Sequence, residues 1–418
     1  MFIHFSDIES QFLRREVIKM SSIRKRTLPS GQIRWLVDYR DMSGNRRAKM
    51  FETKRDADTY LVKARGEVAA GTHVADSQSI TVSEAADIWV ESGGRDNLEA
   101  TTVRQRRQHV DLHIKPLLGL TKLSKLSAPT VQAFVDTLLE TRSRAMARRV
   151  LTSLKGLLSE AQRRGLIGHN PASVSRIAKR RSEVENEECI VVPPKEHLRK
   201  MLGKSAELWP LVRQNARKRQ ITCCWRPLVV TAIFTGMRAS ELRGLSWDDV
   251  DLESGSIRVR QRADRYNELG PTKSKAGRRD IPLSPLVTNT LKEWRLACQT
   301  TDINLVFPSE RGDIIRHTNL YNQCFKKLLK ACGLTLRDAN ADELETSVPE
   351  RLPYNFHALR HAAASLFIEQ GWSPKKIQTI MGHSSIQVTF DIYGHLFPDM
   401  ENDAKAMAEI EARLLGKN

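Results

Sequence analysis

The sequence lacks the features of several protein classes. None of its apolar runs reaches the roughly 18 to 20 residues that a membrane helix requires, so we predict no spanning segment. The charged residues Asp7, Glu9, Arg14 and Arg15 interrupt the N-terminal stretch, which is therefore unlike a secretory signal. The cytoplasm is the expected compartment, and no membrane partner is expected.

Motifs for metals, disulfides and nucleotides are also missing. The six cysteines include no CxxC pair, so neither a disulfide framework nor a zinc ribbon is predicted. His109 and His113 are four residues apart but lack the glutamate of an HExxH motif, and a solvated basic helix is the preferred interpretation. The sequence has neither a Walker loop nor a GxGxxG turn, so no nucleotide cofactor is implied. We therefore expect neither a metal nor a cofactor.

Positive charge, in contrast, is present in excess. The chain has 67 Lys and Arg residues against 49 Asp and Glu residues, which gives a formal net charge of +18. A surplus of this size suits a polyanionic partner, and nucleic acid is the first candidate. The 418 residues also exceed what a single hydrophobic core usually fills, so two or three domains are expected.

Hydrophobic periodicity divides the chain into regions of different type. Apolar residues alternate from Ile33 to Tyr39, and a helical pattern follows Thr53, which predicts a small antiparallel sheet and then a helix. Residues 81–177 carry only helical patterns, with arginines between the apolar positions, and the chain from about Cys189 mixes helices and strands. The predicted parts of the chain are an N-terminal extension over 1–20 and three domains over 21–76, 77–182 and 183–418. Met20 is an alternative translation start.

Local signals in the last region predict its first elements. Pro227 lies in the first turn of an apolar helix that stops at Gly236, and Ser240 is predicted to cap a short helix over 241–245. A basic hairpin is predicted between a strand near Ile257 and another near Ile281.

Three segments of this region contain functional side chains in unusual density. They read TGMRASEL from Thr235, HALRH from His357 and MGH from Met381, and Tyr393 follows ten residues after the last of these segments. Here the chain resembles the tyrosine recombinase (phage integrase) family. The family signature is an arginine in a TGxRxxE turn, an HxxR helix, a GH pair and a nucleophilic tyrosine downstream, and all four stand here in order.

The resemblance implies a multidomain α+β fold. Residues 21–76 would form an arm-type DNA-binding domain with a small β-sheet and a helix, and residues 77–182 an all-α core-binding domain. Residues 183–418 would form a mainly α catalytic domain with a small β-sheet and a C-terminal docking helix. Two departures from the family pattern, a polar stretch from Leu334 to Tyr354 and a long approach from Met201 to Arg226, are expected to be surface loops or extra helices.

The resemblance also implies a function and partners. The chain would be a site-specific DNA recombinase that cuts and rejoins strands through a 3′-phosphotyrosine intermediate, to integrate or excise a mobile element or prophage. Its partners would be double-stranded DNA at attachment sites, three further copies in a homotetramer on DNA, and accessory DNA-bending or excision factors.

Elementary chemistry supports the roles that the resemblance assigns. Attack on a phosphodiester places extra negative charge on the non-bridging oxygens, and cations must meet this charge. Arg238 and Arg360 suit the task because a guanidinium stays charged and donates in pairs to phosphate oxygens. The resemblance makes His357 the general base, His383 a hydrogen-bond donor to the phosphate and Tyr393 the nucleophile.

Several residues compete with these assignments. The leaving 5′-hydroxyl needs a proton, and the resemblance places a general-acid lysine in the basic hairpin, where we prefer Lys275 to Lys273. Tyr354 is a conceivable rival nucleophile, although it precedes the HxxR helix. His361 and His395 are set aside because neither occupies a position of the motif.

Two other functions remain open at this stage. One alternative is a type IB topoisomerase-like enzyme, which relaxes DNA as a monomer, and the other is a DNA-binding regulator without catalysis. The apolar residues Ala404, Met407, Ile410 and Leu414 have helical spacing, and this segment either docks on a neighbouring subunit or packs against its own domain.

Overall fold

A computed structural model describes most of the chain, which divides into two compact units, Met1–Arg180 and Arg181–Asn418. The described residues are 21–41, 44–71, 73–96, 98–178, 191–210, 212–214, 220–299, 302–335, 352–397, 407, 411–412 and 414–415. The predicted part 21–76 and all but the last two residues of the predicted part 77–182 fall within the first unit, and the boundary between the two parts stays a prediction.

The first unit begins with the small sheet that the alternating pattern predicts. Strands β1 (Ser22–Thr27), β2 (Ile33–Arg40) and β3 (Arg46–Phe51) are antiparallel in the order β1-β2-β3. Helix α1 (Lys54–Ala69) follows, and the Thr53 side chain caps it by accepting the Asp56 N–H. The sheet and the helix are held together by a small apolar cluster that includes Val37, Tyr39 and Leu61.

The rest of the first unit is helical, as its patterns predict. Its helices are α2 (Val82–Arg95), α3 (Ala100–His109), α4 (Lys115–Leu118), α5 (Ala128–Thr141) and α6 (Arg144–Arg163), and a π-helical turn (Val110–Ile114) joins α3 to α4. The apolar stripes of α5 and α6 meet in a core that also contains Trp89. His109 and His113 are both buried, and the His109 ring is hydrogen-bonded to the Ser153 hydroxyl, so the expected solvated helix face is wrong for these two residues.

The second unit mixes helices with small antiparallel sheets. In its first half lie α7 (Lys195–Leu208), β4 (Val212–Gln214), β5 (Gln220–Thr222), α8 (Trp225–Thr235), α9 (Ala239–Arg243), β6 (Val250–Asp251), β7 (Ser256–Val259), β8 (Gln261–Ala263), β9 (Leu269–Pro271) and β10 (Arg279–Pro282). In its second half lie α10 (Pro285–Ala297), α11 (His317–Asn319), a π-helical turn (Leu320–Phe325), α12 (Lys326–Ala331), α13 (Ala358–Glu369), α14 (Pro374–Met381) and α15 (Ile386–Tyr393).

Strand pairing in this unit brings distant segments together. Strands β10, β7 and β6 form one sheet, in which Ile281 lies opposite Ile257, and β8 pairs with β9 in a hairpin between β7 and β10. Strands β4 and β5 form a hairpin within the long approach, where the sequence predicted loops or helices. Most of the polar stretch after Leu334 lies outside the described residues.

The central core of the unit is built around α8, which is buried along most of its length. A second apolar cluster joins α13, α14 and α15 and includes Ile377, Met381 and Tyr393. These contacts fix the positions of the helices that carry the motif residues.

Among the described residues, no helix is long and apolar enough to cross a membrane. The segment that contains Ala404 and Ile410 lies largely outside the described residues, and its docking stays a prediction.

Candidate active site

The TGMRASEL segment forms a tight turn between α8 and α9. Gly236 ends α8 in the left-handed conformation with φ of 62°, and a Cβ there would lie 2.8 Å from the Met381 sulfur. Arg238, and not Ser240, is the N-cap of α9, because the Glu241 carboxylate accepts the Arg238 N–H at 2.9 Å. The predicted Ser240 cap is therefore wrong, and the true cap fixes the backbone of Arg238 itself.

The Glu241 carboxylate binds two guanidinium groups. It accepts from Arg238 Nη1 at 2.8 Å and from Arg279 Nη2 at 2.8 Å and Nη1 at 3.1 Å. The side chains of Glu241 and Arg279 are both 2% exposed, whereas that of Arg238 is 36% exposed. Burial alone would raise the pKa of Glu241, but the two arginines outweigh it and lower this pKa to about 2.

Arg360 is held by backbone carbonyls. It lies on α13, is 3% exposed, and donates from Nη1 to the Gly236 carbonyl at 2.7 Å and from Nη2 to the Met381 carbonyl. Its guanidinium therefore joins the turn after α8 to the end of α14. Burial and the charge of Arg238 lower the pKa of Arg360 to about 9, so it remains a cation at neutral pH.

The GH pair follows directly after α14. Gly382 is left-handed with φ of 65°, and its carbonyl accepts from Arg238 Nη2 at 2.9 Å. The His383 ring is buried, with Nδ1 2.9 Å from the Thr389 hydroxyl. Burial and the nearby charges of Arg360 and Arg238 lower the pKa of His383 to about 3, so the ring is neutral at pH 7 and donates from one nitrogen only.

Tyr393 ends α15 and its hydroxyl lies among these groups. The side chain is 1% exposed, and its ring stacks on that of His383 at 6.2 Å and 16°. Its hydroxyl is 2.8 Å from His361 Nδ1. Burial raises the pKa of Tyr393 to about 12, while the charges of Arg360 and Arg238 act in the opposite direction.

His357 and His361 lie one turn apart at the start of α13. Their rings meet edge to face at 4.8 Å, and His361 also meets the Tyr393 ring at 5.7 Å. The His357 ring is exposed at the surface, yet desolvation, His361 and Arg360 lower its pKa to about 4. Its neutral imidazole is therefore able to accept a proton at pH 7.

Lys275 begins a short 3₁₀ turn, Lys275–Gly277, and its side chain is exposed. The next residue, Ala276, packs on the GH pair, since a Cβ on Gly382 would lie 2.9 Å from the Ala276 carbonyl oxygen. The backbone of Lys275 therefore lies beside the cluster, while Lys273 lies two residues before it in the same exposed segment.

The residues predicted from the sequence thus occupy one region of the second unit. Arg238, Arg360, His383 and Tyr393 are linked by shared contacts, with His357 and Lys275 at the margin. Tyr354, the rival nucleophile, is buried in the larger core, and its hydroxyl bonds to His197 Nδ1 at 2.8 Å. The side chain of His395 lies outside the described part of the chain.

The cluster also contains Glu241, Arg279 and His361, to which the sequence motifs assign no role. Glu241 was visible as the glutamate of TGxRxxE, and Arg279 as one of several basic residues after Thr272, but nothing in the sequence paired them. His361 occupies no position of the motif, yet its Nδ1 lies 2.8 Å from the Tyr393 hydroxyl. Among the described residues, no group of His, Cys, Asp and Glu side chains is arranged to hold a metal ion.

Comparison with known proteins agrees with the geometry. The sequence profile of the phage integrase family matches residues 212–400, and that of the phage integrase N-terminal SAM-like domain matches residues 81–139. A tyrosine recombinase XerC-like protein of Caldanaerobacter subterraneus subsp. tengcongensis is 24% identical in an alignment of length 397, which covers 87% of this chain and 92% of that protein.

Solved structures share the fold. The Tn1549 transposon integrase in complex with a circular intermediate DNA has a TM-score of 0.59 at 20% identity, over 80% of this chain and 99% of that one. A lambda integrase tetramer bound to a Holliday junction has a TM-score of 0.52 at 20% identity, over 86% of this chain and 95% of that one. The ordered motifs and the cluster that they form agree with these matches. The chain belongs to the tyrosine recombinase (phage integrase) family.

Proposed function

We propose a residue-level route by which this chain, a site-specific DNA recombinase, cuts and rejoins DNA for a mobile element or prophage. Tyr393 attacks a backbone phosphorus, the new bond joins its phenolic oxygen to the 3′-phosphate, and the bond to the 5′-oxygen breaks. The reverse step, with a 5′-hydroxyl from another strand, rejoins the DNA. Because the phosphodiester bond is exchanged for a phosphotyrosine ester and then re-formed, the reaction needs no external energy source.

Arg238 and Arg360 stabilise the charge that builds on the phosphate. Arg360 is fixed by two carbonyls, and Arg238 by a carboxylate and a carbonyl, so neither guanidinium has to reorganise when the phosphate arrives. Donors that are oriented in advance contribute more than mobile ones for this reason. Arg238 is the more exposed of the two and is the first to meet the DNA backbone.

The histidines and the lysine handle protons and the phosphate. His357, whose ring is neutral at pH 7, accepts the proton that leaves the phenol as the phenolic oxygen bonds to phosphorus. His383 donates a hydrogen bond to a non-bridging oxygen. Lys275 gives a proton to the departing 5′-oxygen, and its exposed side chain lies in the segment that packs beside Gly382.

The observation that carries this proposal is the location of the Tyr393 hydroxyl. It lies in the same compact unit as both arginines, close enough for their charges to act on its pKa. The turn between α8 and α9, which carries Arg238, and helices α13 and α15, which carry Arg360 and Tyr393, thus support the proposed roles of these three residues.

The DNA partner and the assembly are part of the proposal. The chain has a net charge of +18, and residues 81–177 carry many arginines. Both features suit contact with phosphates along a DNA duplex. Strand exchange between two duplexes requires four cleavages, which one Tyr393 from each of four copies would supply. A topoisomerase, in contrast, would cleave DNA without a defined target site and without assembly into a tetramer. The experiments distinguish this alternative.

The experiment is covalent trapping on a nicked duplex built from the repeats that flank the integrated element. A nick beside the cleavage site lets a short strand diffuse away, so the adduct cannot be resealed. We expect an adduct with the wild-type chain and none with Tyr393→Phe.

Tyr354→Phe is the matched control, because it also removes one buried phenolic hydroxyl but leaves the cluster intact. It should form the adduct at nearly the wild-type rate. An adduct that persists in Tyr393→Phe would reject the nucleophile, and relaxation of a plasmid without the flanking repeats would favour the topoisomerase.

A further inference from the structure

The immediate surroundings of the Tyr393 hydroxyl assign it a partner that the motif does not contain. A buried phenol needs a hydrogen-bond partner. The Tyr393 hydroxyl is hydrogen-bonded to His361 Nδ1 at 2.8 Å. His361 directly follows Arg360 on α13, so a single rigid helix carries both the buried cation and the contact of the nucleophile.

The direction of this hydrogen bond follows from the charges around it. The His357 ring and the Tyr393 ring both contact His361, and the charge of Arg360 acts on it. Burial and Arg360 lower the pKa of His361, which keeps its imidazole neutral. Burial keeps Tyr393 protonated at neutral pH, so the phenol donates and Nδ1 accepts.

The ring of Tyr393 is confined from two sides. His361 meets it edge-on at 60°, and His383 lies nearly parallel to it at 16°. Ile377 and Met381 belong to the same apolar cluster as the Tyr393 ring, but apolar packing places no demand on where the phenolic oxygen points. The hydrogen bond to His361 does fix the direction of the phenolic oxygen, because a hydrogen bond is directional.

We propose that His361 is a positioning residue, which accepts a hydrogen bond from the Tyr393 hydroxyl and so holds the phenolic oxygen beside Arg360 before DNA cleavage. This proposal rests on the nucleophilic role of Tyr393. The proton stays on the phenol until attack, when the O–H bond turns from His361 to the proposed base, His357, while the oxygen keeps its place. His361 therefore takes no proton itself. Misplacement of a reacting atom by about 1 Å can slow a reaction by about 100-fold, which sets the expected effect.

Two substitutions separate the acceptor from the packing. In His361→Phe the ring volume is kept and the acceptor is lost, while in His361→Asn the side-chain oxygen lies near the position of Nδ1. We expect single-turnover cleavage at saturating protein to be about 100-fold slower in His361→Phe and within about 10-fold of wild type in His361→Asn. The Kd for DNA should be the same in all three. Equal rates in His361→Phe and wild type, or equal losses in both variants, would overturn the proposal.

A modified DNA substrate tests whether His361 acts on the attacking phenol or on the leaving 5′-oxygen. Sulfur in place of the bridging 5′-oxygen leaves without a proton, so it should restore cleavage by Lys275→Ala. It should not restore cleavage by His361→Phe, because the defect there lies with the nucleophile. Restoration in His361→Phe would show that the histidine acts on the leaving group and would contradict the proposal.

A measurement without DNA distinguishes this proposal from the recombinase assignment. In protein labelled with ¹⁵N-histidine, the Nδ1 resonance of His361, assigned through His361→Asn, should shift when Tyr393→Phe removes the hydroxyl. If wild type forms no covalent adduct but the resonance shifts, the hydrogen bond stands and the nucleophilic role fails. If the resonance is the same with and without the hydroxyl, the proposed contact is refuted whatever the activity.

Discussion

The buried carboxylate of Glu241 provides a quantitative prediction. Lowering its pKa from 4.5 to about 2 corresponds to about 3 kcal/mol of folding free energy, since each pKa unit corresponds to about 1.4 kcal/mol. The folded-state pKa lies below the unfolded one, so this stabilisation is present in full above pH 4.5 and is lost as the pH falls through 2.

Glu241→Gln should therefore destabilise the second unit by about 3 kcal/mol at pH 7, because it leaves the Arg279 guanidinium buried without its counterion. The difference from wild type should shrink as the pH is lowered from 4.5. Urea unfolding followed by tryptophan fluorescence is a suitable assay, since Trp209, Trp225 and Trp294 all lie in this unit.

Glu369→Gln is the matched control. Glu369 also pairs with a cation, Lys195, but both side chains are about half exposed, and a surface pair of this kind contributes about 1 kcal/mol or less. If Glu241→Gln and Glu369→Gln unfold at the same urea concentration, the buried carboxylate does not stabilise the arginine pair as argued.

The remaining predictions concern the phosphate site and DNA. Arg238→Ala should bind DNA nearly normally but cleave about 100-fold more slowly or worse, as measured by adduct formation, and near wild-type cleavage would refute its role. Gly382→Ala should lower the melting temperature and slow cleavage. The added Cβ would lie 2.9 Å from the Ala276 carbonyl in a left-handed conformation that costs about 1 to 3 kcal/mol; an unchanged melting temperature would refute the close approach. DNA affinity should fall steeply with salt in a binding titration, and a flat dependence would contradict phosphate contacts by Lys and Arg.

The sequence predicted the parts of the fold that local rules control. The alternation from Ile33 to Tyr39 and the Thr53 cap are local features, and the observed β2 and α1 follow them. The cap of α9 was mispredicted because a serine is the usual cap, whereas here the side chain of Glu241 reaches back to the Arg238 N–H.

The candidate site was predictable as a set of residue types but not as a network. Motif order placed Arg238, Arg360 and Tyr393 in one function, because each stands in a recognisable pattern. The pairing of Arg279 with Glu241 spans 38 residues, and the contact of His361 with Tyr393 spans 32. Such contacts depend on how β10 and α15 pack, and no local pattern reports that packing.

The central claim is that the phenolic oxygen of Tyr393 becomes bonded to a DNA 3′-phosphate. Its most direct test is mass spectrometry of the trapped adduct after digestion with nuclease and protease. We expect the peptide that contains Tyr393 to carry the nucleotide on its tyrosine, joined through the 3′-phosphate. A nucleotide on any other residue, or a 5′-phosphate linkage, would contradict the account.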